Sequence, residues 1–270
     1  MKKLSKFNQF ISGILILSLT FIGSGCQKED QEKAPQLPPE SAFAMVFTDF
    51  EHQKDMLANE TYVNRSVAAL HVAFWSTTVF LHMAIPAATF KGAFNHEPEL
   101  QEDGSWLWSY SVNVSQTTFT ARLYGKATGN QVHWEMYISK TGIASFTDFL
   151  WFTGVSNIGA TEGSWTLYNS PGNPIPFVDI DWHNNPDDTK GITYTNIVPD
   201  GPENGGYISY EVTGNNPYDA SYTIFRKSMD NLVEINWNRE TKAGQIRDPH
   251  HFSDNEFHCW DESGADIVCE

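Results

Sequence analysis

The run Ser105-Trp106-Leu107-Trp108-Ser109-Tyr110 decides how the chain folds. Trp106, Trp108 and Tyr110 fall at every second position, and a period of two puts all three side chains on one face of an extended strand. The same texture recurs downstream: T-T-F-T-A-R-L-Y (117–124), Q-V-H-W-E-M-Y-I-S (131–139), E-G-S-W-T-L-Y (162–168), P-F-V-D-I-D-W-H (176–183) and G-I-T-Y-T-N (191–196). It continues through G-Y-I-S-Y-E-V (206–212), A-S-Y-T-I-F-R (220–226) and L-V-E-I-N-W-N (232–238). β-branched and aromatic residues suit a pleated, half-buried surface. Clusters such as G-K-A-T-G-N, N-S-P-G-N-P and T-G-N-N-P separate the runs. No helical pattern intervenes, so neighbouring strands are expected to pair antiparallel in a meander. Ten or so such strands tend to curl or close, which predicts a curved sheet or partial β-barrel.

Upstream the period changes. Phe43, Val46, Phe47 and Phe50 follow i, i+3, i+4, i+7 spacing after Ser41, which predicts a helix to about Leu57. A second, from Ser66 to Pro86, is apolar nearly all round and is expected to be a central helix buried on nearly every side, with His71 and His82 as partnered core histidines. The fold class is therefore mainly β, of α+β type, with N-terminal helices packed on the sheet. Gly104-Ser105-Trp106 and Gly163-Ser164-Trp165 echo one another, but the intervals fit no solenoid or propeller repeat.

The first 25 residues read as a signal peptide. Lys2, Lys3 and Lys6 precede an apolar run from Phe10 to Ile22, and Gly23-Ser24-Gly25-Cys26 follows. That run falls short of the roughly 20 residues that a membrane span requires. The segment resembles the lipobox of bacterial lipoproteins, with Gly23 where that family usually has Leu. Gln27-Lys28-Glu29-Asp30 after the cysteine looks like the export signal of Bacteroidetes-type surface lipoproteins. The resemblance implies lipidation of Cys26, a surface-exposed place on the outer membrane, and contact with membrane through the lipid anchor only. The body is similar in texture to other β-rich lipoproteins with such anchors. Residues 26–40, with Pro35, Pro38 and Pro39, read as an acidic, extended tether, and 41–270 as a single domain.

The chain carries a formal charge of −16, or −19 without the three leader lysines. Such a balance argues against nucleic acid as a partner. Apart from Cys26 only Cys259 and Cys269 remain, flanking a turn near Ser263-Gly264, and an exported chain is expected to join them in a disulfide.

Candidate contact residues come from two places. Val178, Ile180 and Trp182 share one face of their strand, while Asp179, Asp181 and His183 share the other; Glu234 is outward on a similar strand. These carboxylates suit either acid–base chemistry or the solvated face of an antiparallel sheet. Trp151 and Phe152, in L-W-F-T-G-V-S-N, read as an exposed apolar spot. The Asn184–Asp188 stretch reads as a turn rather than a calcium loop, and His250, His251 and His258 as surface histidines. No nucleophile elbow, zinc-protease, phosphate-loop or dinucleotide motif occurs, and no cofactor or metal is expected. The expected role is a non-catalytic binding or accessory protein for an extracellular ligand or partner. One alternative is a carrier of lipid or another hydrophobic ligand in a helix-capped half-barrel. The other is a hydrolase using Asp179, Asp181 and Glu234.

Overall fold

The computed structural model describes residues 33–50 and 60–269. Cys26, the leader and the acidic run behind the cysteine lie outside the described residues. The folded unit starts at Ala34. The segment expected to be free tether therefore contributes: Pro38 is buried, and Ala34 and Leu37 pack on the core.

Among the described residues, fourteen strands form one sheet in strict chain order, each antiparallel to the next. They are β1 (Glu99–Leu100), β2 (Trp106–Val114), β3 (Thr117–Thr128), β4 (Gln131–Lys140), β5 (Phe146–Asn157), β6 (Glu162–Ser170) and β7 (Asn173–Asn184). The second half holds β8 (Lys190–Asn196), β9 (Tyr207–Val212), β10 (Ala220–Arg226), β11 (Asn231–Trp237), β12 (Gly244–Arg247), β13 (His258–Trp260) and β14 (Asp266–Ile267). The period-two reading holds. Val132, Trp134 and Met136 are buried while His133 and Glu135 are exposed, and Val233, Ile235 and Trp237 are buried. The fold is mainly β with helices packed on the sheet.

One helix crosses the inner face. α1 (Val63–Ala93) reaches β2 with its C-terminal half, where the Tyr110 hydroxyl donates to the Thr89 carbonyl at 2.5 Å. Its N-terminal half reaches the far end of the sheet. Asp266, beside β13, accepts the Val63 and Asn64 amides at 3.0 Å each, so a residue 203 positions away caps the helix. Touching both ends of an open sheet requires the sheet to curl, and its inner face is concave. The helix bends by 64° between Val63–Val79 and His82–Ala93. Pro86 lies within it and has no N–H for the carbonyl four residues back, at His82.

Two sequence expectations need correction. α1 is not buried on nearly every side: Leu70 and Phe74 are 56% and 60% exposed, because the helix closes an open sheet instead of sitting inside a closed one. Both histidines have partners, His71 in Asp248 at 2.8 Å and His82 in the Thr78 carbonyl at 2.8 Å, but His82 is exposed and rests against Phe177 instead of lying in the core. The helix expected from Ser41 does not form over its described part. Short 3-10 turns at Glu40–Ala42 and Thr48–Phe50 flank an open stretch, and residues 51–57 lie outside the described residues. Side chains of the sheet take the backbone groups that a helix would have paired. The Trp165 indole donates to Ala42 O at 2.9 Å. The Tyr194 hydroxyl donates to Phe43 O and accepts from Met45 N, both at 3.0 Å. The Tyr222 hydroxyl donates to Val46 O, and the Trp237 indole to the Asp49 carboxylate. Burial pushes the Tyr194 and Tyr222 hydroxyls well above their ordinary pKa, so both stay protonated donors.

The concave face is filled by aromatic side chains. Phe43 lies 4.9 Å from Phe90, 4.7 Å from Phe152 and 4.9 Å from Trp165, ring centre to ring centre. Glycines make room for the indoles. Across β3 to β6 one row reads Gly125, Trp134, Gly154, Trp165. A Cβ on Gly154 would sit 2.1 Å from the Trp165 ring. Glycine here lets a large ring lie flat on the neighbouring strand.

Cys259 and Cys269 form a disulfide across the β13–β14 hairpin, with Cα atoms 5.2 Å apart. Gly264, at φ 88°, makes the turn, and Asp261 accepts the Ser263 and Ala265 amides within it. Replacing both cysteines by serine is expected to cost about 2–3 kcal/mol, from the loop-closure entropy returned to the unfolded chain. Denaturant unfolding of wild type and variant, with and without reductant, measures this; reductant should shift only the wild type.

Candidate functional site

The outer face of the sheet carries the polar side chains, in rows set by strand register. On β7, Ile180 and Trp182 point inward, while Asp179, Asp181 and His183 point outward as expected. Asp179 accepts a hydrogen bond from Thr166 at 2.7 Å. Burial, aided by the neighbouring charge of Asp179, raises the Asp181 pKa.

His183 has a partner that no local pattern reveals. The register runs His183, Gly191, Glu211 across β7, β8 and β9. Its imidazole Nε2 and a Glu211 oxygen meet at 3.4 Å by passing over the glycine between them. A Cβ on Gly191 would lie 2.3 Å from the Glu211 oxygens and 2.4 Å from the His183 ring. Burial raises the Glu211 pKa, and the His183 charge opposes that rise. The pair borders an open groove of about 550 Å³ that also meets Glu162, Ser164, Asp181 and Thr193. Gly191→Ala is expected to push the two side chains apart and to raise the Glu211 pKa further, as the favourable histidine is lost. The pair is half-exposed, so the stability cost should stay below about 1 kcal/mol. A carboxyl-carbon NMR titration of both proteins reads the shift, and an unchanged Glu211 would show that the pair does not form.

Glu234 does not join this group. It lies in the same row as Asp181, but Thr193, Ser209 and Thr223 intervene on β8, β9 and β10. Four strand steps at about 4.8 Å separate their backbones by roughly 19 Å. Its partner is Arg247, one strand over on β12. Asp179, Asp181 and Glu234 are thus spread over an open face and form no shared acid–base centre.

Trp151 and Phe152 are a second correction. Both lie within β5 and are 8% and 0% exposed. The pairing of β4 with β5 slips between Met136 and Tyr137. At that irregularity two consecutive aromatics enter the interior, Trp151 against Phe146 and Phe149, and Phe152 against Phe43.

A larger groove, of about 800 Å³, lies on β3, β4 and the turn after β1. Register brings Arg122 and Tyr124 of β3 beside Glu135 and Tyr137 of β4. The Arg122 guanidinium sits 5.8 Å and 5.7 Å from the two tyrosine ring centres, and those rings are perpendicular and 5.9 Å apart. Arg122 also binds Asp148 at 2.9 Å and donates to the Tyr124 hydroxyl at 3.1 Å. The Tyr137 hydroxyl donates to Glu135 at 3.1 Å. Burial and then the Glu135 charge raise the Tyr137 pKa. At the rim, Lys126 reaches Asp103, whose carboxylate also holds Ser105. Alternation within Q-V-H-W-E-M-Y already set His133, Glu135 and Tyr137 outward; pairing them with Arg122 and Tyr124 needed the register.

Elsewhere the loop at Asn184–Asp188 is a turn, closed by Thr189 donating to Asp187 at 2.6 Å. Among the described residues no group of three or more His, Cys, Asp or Glu is placed to hold a metal ion. Comparisons with protein-family models, curated proteins and solved structures find no match.

Proposed function

We propose that the chain is an outer-membrane lipoprotein, anchored through acyl chains on Cys26, whose folded body is a non-catalytic binding or accessory module at the cell surface. The observation that carries the binding role is the division of labour between the two faces of the sheet. The concave face is occupied by the chain's own Phe43, Phe90, Phe152 and Trp165. That packing supports recognition on the outer face, and it weighs against a carrier, which needs an apolar space between helix and sheet. The distance between Glu234 and the β7 carboxylates weighs against the hydrolase. The leader from Lys2 to Cys26 supports the anchor. Each buried methylene of an acyl chain contributes about 0.8 kcal/mol, so two or more chains hold a protein firmly to a leaflet.

Cys26→Ser is expected to move the protein from the membrane fraction to the soluble fraction. Mass spectrometry of the wild type should show a diacyl or triacyl adduct on an N-terminal Cys26. An unmodified thiol at Cys26, or an unchanged distribution of the variant, would overturn the anchor.

A further inference from the structure

The Arg122–Tyr124–Tyr137 groove has the chemistry of a defined ligand, and we propose that it binds a neutral saccharide; this deepens the binding-protein reading and rests on it. The groove's two cations are already committed, Arg122 to Asp148 and Lys126 to Asp103. An anionic ligand would meet Glu102, Asp103 and Glu135 in the lining with no uncommitted lysine or arginine among the lining residues to neutralise it. A cationic ligand would meet a like charge at the rings, where the Arg122 guanidinium stands 5.8 Å and 5.7 Å from the two centres, and another at the rim in Lys126.

What remains is an uncharged molecule with an apolar face and a rim of hydroxyls. A sugar ring offers both. Its C–H face suits the half-buried Tyr124 and Tyr137 rings, one presenting a face where the other presents an edge. Its hydroxyls both donate and accept, and so match Glu102, His133, Glu135 and Gln101 around the groove. The volume of about 800 Å³ is large enough for a short oligosaccharide segment. The groove is open, which suits a stretch within a polymer as well as a chain end.

The test uses the purified full-length chain in detergent. Affinity electrophoresis and calorimetry are run against soluble α-glucan, β-glucan, xylan and mannan, with polygalacturonate and chitosan as anionic and cationic comparisons. At least one neutral polymer is expected to bind. Tyr137→Ala and Tyr124→Ala should each weaken that binding tenfold or more, while Tyr137→Phe, which keeps the ring, should hold it within about threefold. Thermal unfolding of the variants, followed by circular dichroism, should match wild type and so separate lost contact from lost fold. Failure of every neutral polymer to bind, stronger binding to polygalacturonate or chitosan, or indifference to both alanine variants would overturn the inference. An acylated Cys26 with no saccharide binding would leave the anchored-module reading standing and remove this one alone.

Discussion

Phe43→Ala is expected to lower the free energy of unfolding by about 3–5 kcal/mol, the range for truncating a fully buried aromatic. The side chain is 1% exposed and sits between Phe90 of α1, Phe152 of β5 and Trp165 of β6. It joins three parts of the molecule that share no local sequence. Its removal leaves a hole lined by the Phe90, Phe152 and Trp165 rings, and the Trp165 indole is tied in place by its hydrogen bond to Ala42 O. Phe47 is only partly buried and stacks on Tyr222 at 6.0 Å, so Phe47→Ala should cost markedly less. Guanidinium unfolding followed by tryptophan fluorescence provides the comparison. The midpoint should fall with little change in slope. A loss under about 1 kcal/mol for Phe43→Ala would mean that the segment does not pack as described.

Asp248→Ala should have an effect of similar size, by a different route. The carboxylate is 3% exposed and accepts from His71 at 2.8 Å, from Asn231 at 2.9 Å, and from the His250 and His251 amides at 3.2 Å. These amides open a short helix, α2 (Pro249–Phe252), which Asp248 caps. An ionised carboxylate only accepts, so the His71 Nε2 must carry the proton. Alanine would leave these donors without partners in a buried setting, at about 1–3 kcal/mol for each that finds no substitute, giving about 3–5 kcal/mol in all. The acid side has a defined sign. Burial alone would raise the Asp248 pKa, but the hydrogen bonds from His71 and Asn231, with the His71 charge and the His251 amide, outweigh it and hold the group well below its ordinary 3.8. A depressed folded-state value stabilises the protein above the ordinary one, and that contribution is lost as pH falls below about 4. Asp248→Asn should therefore flatten the decline of stability between pH 4 and pH 2. An identical acid limb in the variant would assign that decline to other groups.

Period-two alternation made the sheet legible, because it depends only on which side of its own strand a residue occupies. That is why Ile180 and Trp182 go in and Asp181 and His183 come out as read. Relations between strands are a different matter. Nothing local distinguishes Glu211, which meets His183, from Glu234, which does not; only the order of strands and a glycine between them decide it. Trp151 and Phe152 went unread as core because a register irregularity suspends alternation there. The spacing of Phe43, Val46, Phe47 and Phe50 matches a helical stripe, yet the hydroxyls and indoles that hold this backbone lie more than 120 residues away. Leu70 and Phe74 belong to a helix whose composition suits full burial, and its exposure follows from the sheet staying open. Tyr137 was outward by pattern, together with His133 and Glu135, but its meeting with Arg122 and Tyr124 across β3 and β4 is a property of the hairpin.

The way the chain enters its body bears on how a tethered protein withstands traction. A pull on an anchor at Cys26 would arrive at Ala34 and run along the stretch to Phe50. There it meets bonds from Trp165, Tyr194, Tyr222 and Trp237, which stand on four different strands. Force would be shared sideways among β6, β8, β10 and β11 instead of peeling one edge. On the proposed anchoring, such a lashing would spread the load over the interior of the sheet and leave the outward surface its shape.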